Sequence, residues 1–463
     1  MRYLSTRGHV APVGFLDAVM MGMADDGGLL VPETIPQIDA AMLQRWKDLS
    51  YQDLTLEILQ CYVQDEISRS DLRSLINASY TGFRHDEVVP VRQLDPTHFV
   101  LELFHGPTFA FKDVALQFLG NLYAYIARTS QAQINILGAT SGDTGASAIE
   151  GVRGKEGIRI CILYPYGKVS KVQALQMTTV NDANVLNLAV EGSFDDCQRI
   201  IKDLFADVSF KRSYHLRAVN SINIARILVQ SVYYFYAYFQ LVKAGHRGSF
   251  EVSVPTGNFG DIFAGYLARR MGLPMDKLIL ATNENRILER FVNQGVYQPA
   301  EVRKTYSPSM DIQVASNFER YLYYLSEENP EVVRELMQRF HGEGRIEVDC
   351  HKRRQVQSDF AAARVSNETC LDTIVDYHER YGYLIDPHTA CAAAAVEAVG
   401  SERTPTVILS TAHPAKFNEA LALRNLAGPY PREIEALFSK PKFEKRMAAS
   451  SEEIQRELIH FLG

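Results

Sequence analysis

Features that would place this chain in several large functional classes are scarce or missing. It has six cysteines in 463 residues (Cys61, Cys161, Cys197, Cys350, Cys370 and Cys391), and no two form a C-x-x-C pair. Disulfide scaffolds and zinc ribbons need closely spaced cysteines, so the spacing predicts free, mostly buried thiols in a cytoplasmic protein. None of the twelve histidines forms an H-x-x-x-H pair, and no metal site is expected. No apolar run reaches the ~18 residues that a membrane helix needs. The first residues lack the basic-then-apolar layout of a secretory leader. Positive charge is also in deficit. Lys and Arg number 48 against 55 Asp and Glu, a formal net charge of −7, which argues against nucleic acid as a partner. A G-x-S-x-G elbow, a Gly-Lys-Ser/Thr phosphate loop and a G-x-G-x-x-G fingerprint are all missing, so the commonest hydrolase and nucleotide-binding readings fall away.

What remains is an ordinary globular composition, 46% hydrophobic and 22% charged. The length calls for two or three domains. From about Val100, short β-rich runs alternate with helical ones. Strands are expected at 134–137, 158–163, 185–190, 214–219, 250–254, 278–281 and 406–409, with residues 284–400 mainly helical. This alternation predicts an α/β protein with two open, twisted, mostly parallel sheets flanked by helices, plus a small N-terminal domain. The expected division is 1–95 for the N-terminal domain, 96–130 with 215–463 for a large domain, and 131–214 for a small mobile α/β domain.

One stretch organises the chemistry. Lys112 follows Phe104, Gly106, Pro107, Phe109 and Phe111 and opens an apolar helical pattern through Ala115, Phe118, Leu119, Leu122 and Ile126. A lysine at the first turn of a buried helix is desolvated and faces the positive end of the helix dipole. Both effects favour the neutral amine, the form that condenses with carbonyls. A lysine that reaches water or pairs with Asp113 is the plainer alternative.

Two glycine loops follow strands and open helices: Gly138-Ala139-Thr140-Ser141-Gly142-Asp143-Thr144-Gly145, and Pro255-Thr256-Gly257-Asn258-Phe259-Gly260-Asp261. Free N–H groups at such helix starts favour anions. Two anion loops and one buried lysine suit a pyridoxal phosphate enzyme, with one loop for the cofactor phosphate and one for a substrate carboxylate. Ser410 and Thr411 offer neutral hydroxyls for a pyridine nitrogen, or simply cap a turn.

At this level of detail the chain resembles the threonine synthase family, fold-type-II (tryptophan-synthase-β-like) enzymes dependent on pyridoxal 5′-phosphate. The resemblance runs from Tyr3-Leu4-Ser5-Thr6-Arg7-Gly8 and Asp26-Gly27-Gly28-Leu29-Leu30-Val31-Pro32 through His105-Gly106-Pro107-Thr108-Phe109-Ala110-Phe111-Lys112-Asp113. It continues through Ser141-Gly142-Asp143-Thr144-Gly145, Asn220-Ser221-Ile222-Asn223 and Gly257-Asn258-Phe259-Gly260 to Thr411-Ala412-His413-Pro414-Ala415-Lys416-Phe417. The long N-terminal unit and the helical stretch after 284 are similar to the longer, yeast- and enterobacterial-like branch.

The resemblance implies conversion of O-phospho-L-homoserine and water to L-threonine and phosphate. It implies that Lys112 holds the cofactor aldehyde, that Gly257, Asn258, Phe259 and Gly260 cup its phosphate, and that Thr411 meets its ring nitrogen beside Asp143. Ser141, Gly142, Asp143 and Thr144 are implied to grip the substrate carboxylate. For the substrate phosphate the candidates are Lys168 and Lys171 with Ser170, Asn220 with Arg226, and His413 with Lys416. Gln173 and Gln176 are packing or lining residues. A monomer or homodimer is expected. Two alternatives share the same motifs: a phospholyase that releases 2-oxobutyrate, ammonia and phosphate, and a non-catalytic binding protein.

Overall fold

The computed structural model describes residues 1–463. The chain folds as two compact units, and each is discontinuous in sequence.

The first unit comprises Met1–Ile76, Phe83–His105 and Ser221–Ala427. Its six-stranded sheet runs in the order Phe360–Arg364, Met275–Thr282, Phe250–Pro255, Thr406–Ser410, His98–Glu102, Val91–Gln93. All neighbours are parallel except the last pair. Phe250–Pro255 and Thr406–Ser410 are buried along their whole length, as expected of central parallel strands covered on both faces. One cover is the alanine-rich helix Pro387–Val399, which shares a core with Val100, Ile279, Ala281 and Ile408. Its small side chains let Ser253 Oγ on the sheet reach the Ala392 carbonyl at 2.7 Å. The aromatic helix Ile224–Lys243 is core, with Val232, Tyr233, Tyr234 and Phe235 all fully buried.

The N-terminal segment packs against the rest of this unit. Trp46 and Tyr51 pack edge-on against Phe235 and Tyr236. Thr6 Oγ1 and Arg7 Nη2 donate to Glu319 at 2.7 and 2.9 Å. These contacts accompany the grouping of residues 1–76 with the six-stranded sheet in one compact unit.

The second unit comprises Asn77–Gly82, Gly106–Asn220 and Gly428–Gly463. Its five strands are all parallel, in the order Lys445–Ala448, Val185–Glu191, Ile158–Pro165, Ile134–Ala139, Leu216–Ala218. The helix Lys112–Ser130 belongs here, although the sequence division placed 96–130 with the large domain. The reason is a backbone-to-backbone contact. A Cβ on Gly120 would stand 2.1 Å from the Gly151 carbonyl oxygen, and one on Gly151 would stand 2.6 Å from the Leu116 carbonyl oxygen. Only hydrogens on both helices let Lys112–Ser130 and Asp143–Val152 come this close. Gly120 and Gly151 each lie eight residues past their helix start, so the two N-termini emerge together.

Several strands were not expected, among them Val91–Gln93 and His98–Glu102 at one edge of the six-stranded sheet and two more whose sequences explain the miss. Phe360–Arg364 reads Phe-Ala-Ala-Ala-Arg, a helix-favouring composition that parallel pairing with Met275–Thr282 overrides. Lys445–Ala448 is charged and mostly exposed, so it carries no apolar alternation. No helix is long and apolar enough to cross a membrane.

Replacing Gly151 by Val should cost ~1–3 kcal/mol by overpacking, because the obstruction is main chain and cannot rotate away. Urea unfolding should show the loss as a lower midpoint, while Gly82→Ala, where no atom lies within 4 Å of the new Cβ, should leave it unchanged.

Candidate active site

The second unit presents Lys112 on a tightly folded turn. The Thr108 N–H donates to Asp113 Oδ2 at 2.7 Å and Thr108 Oγ1 donates to Asp113 Oδ1 at 2.6 Å. Phe109 adopts a left-handed φ of 60°, and Gly106 lies so near that a Cβ would meet Asp113 Cβ at 2.3 Å. Asp113 thus ties residues 106–111 onto the start of the helix, and Lys112 becomes its first residue.

The Lys112 side chain is only 12% exposed, and its Nζ lies 3.6 Å from Asp143 Oδ2. Its counter-charge is therefore Asp143, not the sequence neighbour Asp113, whose two oxygens are taken by Thr108. The Phe111 ring centroid stands 5.1 Å from Nζ.

Asp143 is the first residue of its own helix, after Gly142 at φ 137°. Thr140 Oγ1 accepts the N–H groups of Gly142 and Gly145 at 3.0 and 2.9 Å, which closes the loop. Asp143 Oδ1 accepts Gln173 Nε2 at 2.9 Å. Gln173 is held in turn by a capping box with Ser170 at the start of helix Lys171–Thr178. Gln176 Nε2 donates to the Thr108 carbonyl at 2.9 Å. Both glutamines, undecided from sequence, thus brace the Lys112 turn and its acid. The Ser170-x-x-Gln173 spacing is the readable trace of that role.

Ser141 is exposed and Thr144 half-buried; Lys168 is exposed, while Ser170 and Asn220 are half-buried. The segments carrying them leave the carboxyl ends of three adjacent parallel strands, Ile134–Ala139, Ile158–Pro165 and Leu216–Ala218. Such an edge is where open α/β sheets bind ligands. Lys171 is turned over the Phe438 ring, 4.8 Å from its centroid.

The first unit has a matching edge. The Gly257–Gly260 loop and Thr411 follow the neighbouring strands Phe250–Pro255 and Thr406–Ser410. At Gly257 a Cβ would lie 2.6 Å from the Ser309 carbonyl oxygen. Phe259 takes a left-handed φ of 64°, and the helix Gly260–Arg270 begins without a side-chain cap. Its first N–H groups are donors suited to an anion. Asp261 turns its Oδ1 to the hydroxyls of Tyr233 and Tyr234, the latter at 2.9 Å. Burial, and then Asp261 itself, push both phenols well above their ordinary pKa, so they stay neutral donors. Ser410 is 1% exposed and shares its hydroxyl with Thr389 Oγ1 at 3.2 Å. Of the two hydroxyls suggested by sequence, Ser410 is therefore spent inside the fold. Arg226 (4% exposed) and Lys416 (2% exposed) also belong to this unit.

Known proteins match the chain from end to end. The family description "Threonine synthase N terminus" fits residues 2–80, "Pyridoxal-phosphate dependent enzyme" fits 87–411, and "Threonine synthase, C-terminal" fits 389–459. The chain belongs to the threonine synthase family. The threonine synthase of Schizosaccharomyces pombe is 44% identical, over 91% of this chain and 88% of its own length. That of Pseudomonas aeruginosa is 45% identical, over 95% and 94%. A crystal structure described as pyridoxal-phosphate-bound threonine synthase from Brucella melitensis superposes with a TM-score of 0.96 at 41% identity, covering 100% of this chain and 99% of that one.

The residues present suit the cofactor of this family. In the second unit a lysine amine is kept from water; in the first, an uncapped helix start on a glycine turn with no room for a Cβ and a hydroxyl residue at the next strand end are donors of the kinds that suit a phosphate and a pyridine nitrogen. Sequence reasoning missed a polar cluster at the same edge as Thr411. His105 Nε2 lies 2.7 Å from Glu102 Oε2, Tyr383 donates to Glu102 Oε1 at 2.8 Å, and His413 packs edge-on against Phe104.

Burial, then the nearby His105 and Arg84, push His413 down to about 4. An unfolded chain would bind this proton near pH 6.5, so the neutral ring contributes fully above 6.5 and loses its contribution as pH falls towards 4. The loss is at most about 3 kcal/mol. In His413→Asn, which keeps an acceptor for the Ala415 N–H, the unfolding free energy should fall less steeply between pH 6.5 and 4.5. Chemical denaturation across that range checks it.

Proposed function

We infer that this chain is a pyridoxal-phosphate-dependent threonine synthase, a carbon–oxygen lyase that turns O-phospho-L-homoserine and water into L-threonine and phosphate, the last step of threonine biosynthesis. The observation that carries the reading is Lys112, first residue of a buried helix with Asp143 3.6 Å from its amine, in a chain that threonine synthases match along nearly its full length. Six free cysteines agree with work in the cytoplasm, as a monomer or homodimer without nucleic acid or membrane partners.

Pyridoxal 5′-phosphate, when bound, supplies an aldehyde for an amine and a ring that withdraws electrons from the substrate's α carbon. Lys112 would hold the aldehyde with Asp143 beside its amine, Gly257, Asn258, Phe259 and Gly260 the phosphate, and Thr411 the ring nitrogen. The backbone N–H groups of Ser141, Gly142, Asp143 and Thr144 would orient the substrate carboxylate. Lys168, Ser170, Asn220 and Arg226 would hold the substrate phosphate.

The leaving phosphate sits on the γ carbon, so protons must move at both the α and β carbons before it departs, and water then adds at the β carbon. One mobile base serves both positions. The amine of Lys112, on a rigid helix start, reaches successive carbons by rotating about its own side-chain bonds. Asp143 stabilises the proton-bearing form of that amine, and its other oxygen is held by the Gln173 amide.

Lys112→Ala should lose the visible absorbance of bound cofactor and at least about 10³-fold in turnover. The wild-type protein, given O-phospho-L-homoserine, should release threonine and phosphate in equal amounts. Release of 2-oxobutyrate in place of threonine, or protein that stays colourless with added pyridoxal 5′-phosphate, would overturn the reading.

A further inference from the structure

The first unit carries a buried cation that no step above uses. Arg320, in helix Phe318–Leu325, has 0% exposure. Its guanidinium donates from Nε to the Leu30 carbonyl at 2.9 Å, from Nη1 to Asn317 Oδ1 at 2.5 Å and from Nη2 to the Ile222 carbonyl at 2.5 Å. All three acceptors are neutral. The adjacent acid, Glu319, is committed to Arg7 at 3.0 and 2.9 Å and to Thr6 at 2.7 Å. Desolvation lowers the guanidinium to about 9, which leaves it charged at neutral pH. The neighbouring Glu319 and Tyr324 offset part of the cost of burying it, but these hydrogen bonds of the guanidinium all go to neutral groups, and a charge so far out of water is costly.

Asn317 shows where that charge is directed. While its Oδ1 accepts Arg320, its Nδ2 and its backbone N–H both donate to the Asn258 carbonyl, at 3.1 and 3.0 Å. It also stands against Gly260, where a Cβ would meet Asn317 Nδ2 at 3.2 Å. Guanidinium, carboxamide and loop carbonyl thus form one chain of hydrogen bonds ending on the Gly257–Gly260 turn. Each bond polarises the next in the same sense. The uncapped helix Gly260–Arg270 presents its positive end at that turn.

We propose that Arg320 is a positioning residue that supplies the counter-charge for the cofactor phosphate, acting through Asn317 on the Gly257–Gly260 loop and making that loop prefer a phosphorylated ligand to its dephosphorylated form. The inference rests on the reading of this loop as the phosphate cup. A purely structural Arg320, tying the Leu30 and Ile222 carbonyls together, would affect stability and leave ligand preference alone.

Full-length protein depleted of cofactor is titrated by equilibrium dialysis with pyridoxal 5′-phosphate and with pyridoxal, and the ratio of the two affinities is the readout. In Arg320→Met the ratio should fall at least about tenfold, through weaker binding of the phosphorylated ligand only. Arg320→Lys, which keeps the charge, should retain more of it. If Arg320→Met does not fold, Asn317→Ala carries the test by severing the link, with an expected fall of about threefold or more. A ratio unchanged in the folded variant overturns the proposal. A wild-type protein with no preference for the phosphorylated ligand sinks the reading of the loop itself.

Discussion

The close crossing of two helices at Gly120 and Gly151 is the constraint on which the reactive part of the molecule depends. With main chain against main chain, the helices Lys112–Ser130 and Asp143–Val152 can neither slide nor separate without losing a contact that no side chain can rebuild. Their first residues are therefore fixed relative to each other, an amine on one and a carboxylate on the other, 3.6 Å apart. Both helix dipoles point their positive ends at this place. The acid is favoured there and the ammonium is not, and Asp143 makes up for part of that imbalance. Everything around the pair holds it still: Asp113 closes the turn before Lys112, and Gln173 takes the far oxygen of Asp143.

The two units follow one plan. In each, side chains that matter chemically lie in the segments leaving the carboxyl ends of neighbouring parallel strands. The first unit has a glycine loop that opens an uncapped helix, and the second a lysine and a loop rich in hydroxyl and N–H donors. Parallel pairing brings this about economically, because every strand ends on the same edge.

Much of this was legible in the residues. The strands over 134–139, 158–165, 250–255 and 406–410 show as short β-rich runs, expected at 134–137, 158–163, 250–254 and 406–409, and Lys112 stands out as a cation in apolar company. The two glycine loops are equally visible. What escaped notice shares a physical cause. Strand Phe360–Arg364 depends on a partner 80 residues earlier, and Lys445–Ala448 on one more than 250 residues away; neither has a pattern of its own. The partner of Lys112 is Asp143 rather than Asp113 because a local turn consumes the neighbour, which only hydrogen-bond geometry reveals. Arg320 and Asn317 sit in an unremarkable aromatic helix, and nothing in their spacing announces a buried charge.

The last strand has a bearing on how the protein is made. Lys445–Ala448 covers the outer edge of Val185–Glu191, and Ile454, Leu458 and Leu462 of the terminal helix fill the core beside Leu188, Ile200 and Leu204. Until residues 445–462 have been made and folded, that edge stays open. Open edges invite strands from other chains. Truncation by a few dozen residues would spare Lys112 and both glycine loops, and it would leave a molecule prone to aggregate.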